Sequence, residues 1–344
     1  MMTIKQIYDL AVSEGIKQDP RGASRVRETL KRLSTKYEAL SEAARARFDI
    51  ERLTNPYSDS RIFHGNEDQP VKRVMVGVDI DTGEVLLANE LNKRTPEKPI
   101  DLIIGHHPLS GGLAALHEVM DMQIEFLAQY GVPINIAEKL MKKRIGQVER
   151  GVSPINHGQS VDAAKLLDIP IMCVHTPTDN HVASYLYREI KKREKELMYV
   201  EDVMAFLRSI PEYQEAEKQK AGPMIFSGGP DNFAGKIAVT EFTGGTDGAK
   251  EMYERLAHAG VGTIISMHQR EEWKDEAVKH HINVVVAGHM SSDSLGLNLF
   301  LDTIEKKGIE IVPCSGFIRI SRVKKKTTAP KRKKSVRSKQ ARSR

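Results

Sequence analysis

The chain has 344 residues, 40% apolar and 28% charged, enough for a real core and consistent with two domains or one large one. No run of about 18 apolar residues occurs, which excludes a transmembrane helix, and the charged start MMTIKQIYDLAVSEG lacks the apolar stretch of a secretory signal. Two cysteines, Cys173 and Cys314, are too few for a disulfide scaffold or an all-thiolate zinc site, so a soluble, intracellular mixed protein is expected.

Charge is unevenly spread. Residues 321–344 hold 12 Lys or Arg and no Asp or Glu, out of 52 basic and 46 acidic residues in the chain. The remaining 320 residues therefore carry 40 and 46, a formal charge of −6. Such a tail cannot bury apolar surface and is expected to be disordered. It would attract nucleic-acid phosphates without sequence preference, serve as a nuclear-import signal, or simply solubilise the chain.

In chain order, residues 1–50 read as helices broken at Asp19-Pro20-Arg21-Gly22, and 54–69 as a linker rich in turn formers. VKRVMVGVDI (71–80) reads as a strand, EVLLANELNK as a helix, and IDLIIG (100–105) as a buried strand. The spacing predicts a helix over 113–130, a short strand VPINI (132–136), a helix AEKLMKKRIGQVER, a helix over 160–168 and a strand IPIMCV (169–174). Residues 182–220 are helical and heavily charged, and the glycine-rich 222–235 marks a boundary. A second run follows: strand KIAVTEF (236–242), turn TGGTDG, a helix ending at Gly260, strand VGTIIS (261–266), helix EEWKDEAVKHH, strand INVVVAG (282–288) and a helix over 294–308. IEIVP and FIRI are expected as closing strands. Alternation of this kind predicts an α/β fold with a largely parallel sheet.

Three predicted strands run into histidine: IDLIIG into His106 and His107, IPIMCV into His175 with Asp179 four residues on, and INVVVAG into His289 with Asp293 four residues on. Parallel strands share one carboxyl edge, where ligand sites gather. Four imidazoles and two carboxylates suit first-row divalent ions, and six candidates exceed the needs of one four-coordinate ion. Two ions sharing a carboxylate would activate a bridging water, so the chemistry implied is hydrolytic. A lone His-His pair, or a His-x-x-x-Asp pair at a helix start, more often packs or caps; the joint pattern is what points to metal. TGGTDG is expected as an ordinary turn rather than a phosphate cradle. His64, His157 and the His280-His281 pair are expected away from the site, Cys173 as a buried thiol, and Trp273 as half-buried.

IDLIIGHHPL, VHTPTD and VVVAGHMSSD resemble the three signature segments of the Nif-three-like family (NGG-one interacting factor three), whose members are also called GTP cyclohydrolase 1 type 2 homologues. The likeness spans about residues 65–320. It implies His106, His107, His175, Asp179, His289 and Asp293 as ligands of two divalent ions, drawn from Zn, Mn, Fe, Ni or Co. It also implies two intertwined α/β halves and a toroidal homo-oligomer, often a hexamer. The chain departs from the family in carrying Asp293 where Glu is usual, Pro177 within the second segment, and His268 where an acidic residue is common.

The resulting organisation is a helical extension and linker (1–65), a first α/β half (66–180), a charged helical connection (181–235), a second half (236–320) and the basic tail (321–344). The expected function is a metal-dependent hydrolase acting on a nucleotide-like or phosphate-containing molecule through metal-bound hydroxide, GTP cyclohydrolase-like by resemblance. A non-catalytic ring-shaped scaffold whose tail contacts nucleic acid, and a metal-trafficking or regulatory role, stay open beside it. The expected compartment is the cytoplasm, or the nucleus where the tail acts as an import signal in a eukaryotic source.

Overall fold

A computed structural model describes residues 1–324. Among the described residues, nine strands build the two larger sheets, beside a short antiparallel pair of Met2–Thr3 with Pro70–Val71: β1 (Ile62–His64), β2 (Arg73–Gly77), β3 (Leu102–Gly105), β4 (Ile171–Cys173), β5 (Met224–Ser227), β6 (Lys236–Val239), β7 (Val261–Ser266), β8 (Asn283–Val286) and β9 (Glu310–Pro313). The first sheet has the order β9-β2-β3-β4-β1, parallel except for the β1–β4 pair. The second has the order β5-β8-β7-β6, parallel except for β5 at its edge. The last strand thus returns to the first sheet, so the two α/β halves are intertwined.

The helices that matter to the site are α1 (Ile4–Gln18), α2 (Ala23–Glu38), α3 (Thr82–Arg94), α4 (Ile134–Val152), α5 (His175–Lys192), α6 (Glu271–Lys279) and α7 (His289–Glu305). Side chains alternate across the first sheet as the strand period demands. Val74, Val76, Leu102, Ile104 and Met172 face α1 and α7, against Ile4, Ile7, Leu297 and Phe300. Met75, Ile103 and Ile171 face the opposite way, toward Val85 and Ala88 of α3. Full burial stabilises each such aliphatic side chain by about 1.5–3 kcal/mol. Thr3 and Gln6 close a reciprocal cap that fixes where α1 begins. None of the described helices is long and apolar enough to cross a membrane.

Several sequence expectations need correction. VPINI is not a strand: Pro133, with no N–H to donate, caps α4, and Ala137, Met141 and Val148 are buried at helical spacing. The helix expected over 113–130 is three short ones, Ser110–Ala114, Leu116–Val119 and Met122–Gln129. Its apolar residues serve two cores, Leu116 and Val119 against Tyr57, Met120 and Leu127 beneath the second sheet. One straight helix could not reach both. FIRI forms no strand, because the N–H groups of Ile318 and Ile320 donate to Ser294 Oγ and Asn298 Oδ1 of α7. The linker contains β1, and the glycine-rich connection contains β5. Trp273 is buried rather than half-buried, its indole N–H donating to the carbonyl of Gly248.

The basic tail also starts later than its composition suggests. Arg322 makes a two-pronged pair with the fully buried Glu212 at 2.7 and 2.8 Å, and Arg319 reaches Asp302 and Glu305. The remainder of the expected disordered segment, 325–344, lies outside the described residues.

Candidate metal centre

β3 ends at Gly105, so His106 and His107 leave the sheet at its carboxyl edge. β4 ends two residues before His175, which opens α5 and places Asp179 one turn on. β8 ends at Val286, and Gly288, at φ 111°, turns the chain into α7, placing His289 and Asp293 one turn apart. Each His-x-x-x-Asp pair is thus a first helical turn whose two side chains share a face. α5 packs along α7, which brings both pairs to the two histidines after β3.

The six predicted residues converge. Nε2 of His106 lies 3.4 Å from Asp179 Oδ1 and 3.4 Å from Asp293 Oδ1. Nε2 of His175 is 3.6 Å from Asp179 Oδ2, and those of His107 and His289 are each 3.5 Å from Asp293 Oδ2. Three sets of candidate ligand atoms lie within 4.8 Å of one another: His106, His107 and His175; His107, His289 and Asp293; His106, Asp179 and Asp293.

Hydrogen bonds on the far side of the rings decide which nitrogen carries the proton. Thr178 Oγ1 donates to the carbonyls of Val174 and His175, so at 3.0 Å it accepts from Nδ1–H of His106. Asp59 Oδ2, at 2.8 Å, accepts from Nδ1–H of His175, and Asp79 Oδ1, at 2.6 Å, from Nδ1–H of His107. In their neutral form those three rings turn bare Nε2 lone pairs toward the carboxylates. Acceptors face acceptors at 3.4–3.6 Å. Nε2 of His106, Oδ1 of Asp179 and both oxygens of Asp293 are buried without a hydrogen-bond partner, an arrangement that costs free energy unless a metal cation, or a proton taken up by one of the groups, lies between them.

Without such a cation the groups are pulled apart electrostatically. Burial pushes Asp179 up to about 8, with Asp293 and Asp59 adding to it. Asp293, against the opposing effect of its own burial, is held well below the carboxylate range by His106, His107 and His289. Burial lowers His106 to about 4, whereas for His107 the pull of Asp293 and Asp79 overcomes burial and raises it to about 10. The donor set, all imidazole and carboxylate, is one that binds borderline and hard divalent ions.

The other candidates lie elsewhere. His64 pairs with Asp168 at the surface, His157 bonds the carbonyl of Val152, and His280 reaches Glu276 on α6. Cys173 is fully buried, its thiol pushed up to about 12 by burial. TGGTDG is a packed turn: the carbonyls of Gly244 and Thr246 both accept from Gln123 Nε2. Reading histidines at strand ends missed the supporting residues Asp59, Asp79 and Thr178. Asp79 sits two residues past β2, at the same edge, and Thr178 lies inside the VHTPTD segment. Asp59 lies in the linker, where only the requirement that a ligand imidazole have an acceptor for its second nitrogen would have singled out a carboxylate.

No protein-family model matches the sequence, and no curated protein matches it. Among solved structures, a NIF3 superfamily protein from Sphaerobacter thermophilus is 28% identical, with a TM-score of 0.68 over 75% of this chain and 91% of that one. This likeness supports a NIF3-like family assignment. Two further structures match over similar spans at lower similarity. Reduced HcgD from Methanocaldococcus jannaschii is 16% identical with a TM-score of 0.42, covering 77% of this chain and 92% of that one. A Bacillus cereus protein related to NIF3 is 14% identical with a TM-score of 0.39, covering 76% and 93%. The NIF3 assignment agrees with the family resemblance carried by IDLIIGHHPL, VHTPTD and VVVAGHMSSD.

Proposed function

We propose that this NIF3-like chain holds two divalent metal ions through His106, His107, His175, Asp179, His289 and Asp293. We further propose that it is a hydrolase of nucleotide-like or phosphate-containing molecules, GTP cyclohydrolase-like by family resemblance. The observation that carries the reading is the set of buried, partnerless Nε2 and carboxylate oxygen atoms facing one another. Divalent ions held there would supply Lewis acidity and a lowered pKa for water. The chain's own contribution is orientation. Asp59, Asp79 and Thr178 fix the proton on Nδ1 of three imidazoles and keep Nε2 free. Asp293 turns its two oxygens to different histidines, so it is the residue placed to be shared. Burial of His106, His175, Asp179 and Asp293 keeps bulk water from competing at the floor of the centre, while His107 and His289 border solvent.

The test is elemental analysis of tag-free protein beside a His106→Ala/His107→Ala variant, followed by a hydrolysis screen of nucleoside phosphates. About two ions per chain in the parent and far fewer in the variant are expected, with turnover lost in His107→Ala and kept when residues 325–344 are deleted. A parent that holds no metal even after supplementation refutes the reading. A second reading rests on the sequence of residues 325–344, ten Lys or Arg and no acidic residue. In it the chain is a homo-oligomeric, ring-shaped scaffold whose tail contacts nucleic acid. Salt-sensitive nucleic-acid binding lost on tail deletion, with no turnover in the metal-loaded protein, would favour it.

A further inference from the structure

The side of the centre that meets solvent is set by which of its residues are exposed. His289 is 41% and His107 26% exposed, whereas the other four are nearly inaccessible. On the His289 flank the next residue is His268, two positions past β7, whose ring meets that of His289 edge-on at 4.8 Å. His268 Nδ1 lies 2.9 Å from Asp247 Oδ1, and the other oxygen of Asp247 is 2.7 Å from Nε of Arg270. Arg144, half-buried on α4, donates its Nε to the carbonyl of the same Asp247 at 2.9 Å.

Both guanidiniums lie over the ring of Trp273, Arg144 at 5.3 Å and Arg270 at 5.7 Å from its centroid. Each spends only its Nε on the protein. The terminal nitrogens of both have no acceptor among the described residues, and one carboxylate, Asp247, serves Arg270 and His268 together. Burial, and Arg270 against the attraction of Asp247, hold Arg144 below its ordinary value. The second carboxyl nearby, Glu241, is pushed up to about 7 by burial and by Asp247, which reduces the negative charge it sets against the arginines. A cavity of about 300 Å³ borders Arg144 and Trp273, though not Arg270 or the six residues of the centre, and its lysines pair with carboxylates, Lys143 with Glu251 and Lys250 with Glu272. Two planar donors, joined to the His289 side of the centre through Asp247 and His268, suit a tetrahedral oxyanion.

We propose that Arg144 and Arg270, laid on Trp273, form an anion subsite that takes a phosphate group of the molecule processed at the adjacent His/Asp centre. The proposal rests on the hydrolase reading for its substrate, but its chemistry can be tested apart from the metal. Inorganic pyrophosphate is titrated calorimetrically into the full chain, as isolated and after chelation, with the metal content of each sample measured. A nucleoside triphosphate in a parallel titration distinguishes a phosphate within a nucleotide from free pyrophosphate. Charge-assisted hydrogen bonds predict about tenfold weaker binding for Arg270→Gln and more for Arg144→Gln/Arg270→Gln. Lys143→Gln should bind as the parent does. The exposed Arg270 keeps the test valid where the double variant folds poorly. Binding by the parent that is indifferent to both arginines, or no binding in either metal state, overturns the subsite. Arginine-dependent binding in protein that takes up no metal keeps the subsite and sinks the metal reading instead.

Discussion

Gly296 lies where α7 crosses α5, and the structure allows the effect of a single methyl group there to be worked out. A Cβ at that position would sit 2.4 Å from the main-chain oxygen of Thr178 and 3.0 Å from its carbonyl carbon, where ordinary contact begins near 3.4 Å. A main-chain oxygen cannot rotate aside, so in Gly296→Ala the two helices must part by about 1 Å. Overpacking of this kind costs about 1–3 kcal/mol, offset by up to about 1 kcal/mol of helix propensity. The consequence for the centre is larger. Thr178 orients His106 and precedes Asp179, while Asp293 lies one turn before Gly296. Metal–ligand distances tolerate only about 0.2 Å, so displacing α7 from α5 should release metal even from folded protein. Denaturant unfolding and chelator competition are the measurements, with Gly151→Ala on α4 as control: a Cβ there meets nothing within 4 Å. The control should be neutral or stabilised by up to about 1 kcal/mol. A Gly296→Ala protein with the parent's unfolding midpoint and metal affinity would refute the reasoning.

Three further outcomes follow from the same geometry. Asp59→Ala leaves Nδ1–H of His175 and the hydroxyl of Thr176 without their acceptor, and metal affinity by chelator competition should fall about 10- to 100-fold; an unchanged affinity would show that the ring is held by packing alone. Arg322→Ala strands the fully buried Glu212 carboxylate at a cost of about 3–5 kcal/mol in denaturant unfolding, and Glu212→Gln on that background should restore most of it. Burial and Asp247 raise Glu241 from 4.5 to about 7. The folded state therefore binds more protons between those values, and this group's contribution falls as pH rises through that window. Relative to Glu241→Gln, the parent should lose up to about 3 kcal/mol between pH 4.5 and pH 8. Parallel stability curves for the two proteins would contradict that assignment.

What the sequence makes legible here is set by the range over which a signal acts. Apolar runs such as LIIG, IMC and NVVV are buried on both faces, so their composition alone marks them as interior parallel strands. The edge strands β1 and β5 are only partly buried, and they lie inside segments whose turn formers and glycines predict a linker and a boundary. Their pairing depends on partners more than 50 residues away, Met172 for Ile62 and Val284 for Ser227. The same holds at the C-terminus. Arg322 looks like the start of a solvated basic run, yet Glu212, 110 residues away in sequence, claims it.

The strand-end rule that locates the histidines extends to other residue types. Its physical basis is topological, since every parallel strand delivers its next residues to the same edge whatever their type. Applied to all parallel strands near the centre, it also selects Asp79 after β2, Glu241 after β6 and His268 after β7. Each has a distinct place: Asp79 bonds His107, His268 abuts His289, and Glu241 stands beside Asp247. Glu241 takes a left-handed φ of 59° and keeps a buried, partnerless Oε2, two costs that a side chain free to turn outward would avoid. Histidines stand out because they are rare, 12 of 344 residues. The carboxylates that hold and flank them are common residues, and only the sheet edge distinguishes them from the other acidic residues of the chain.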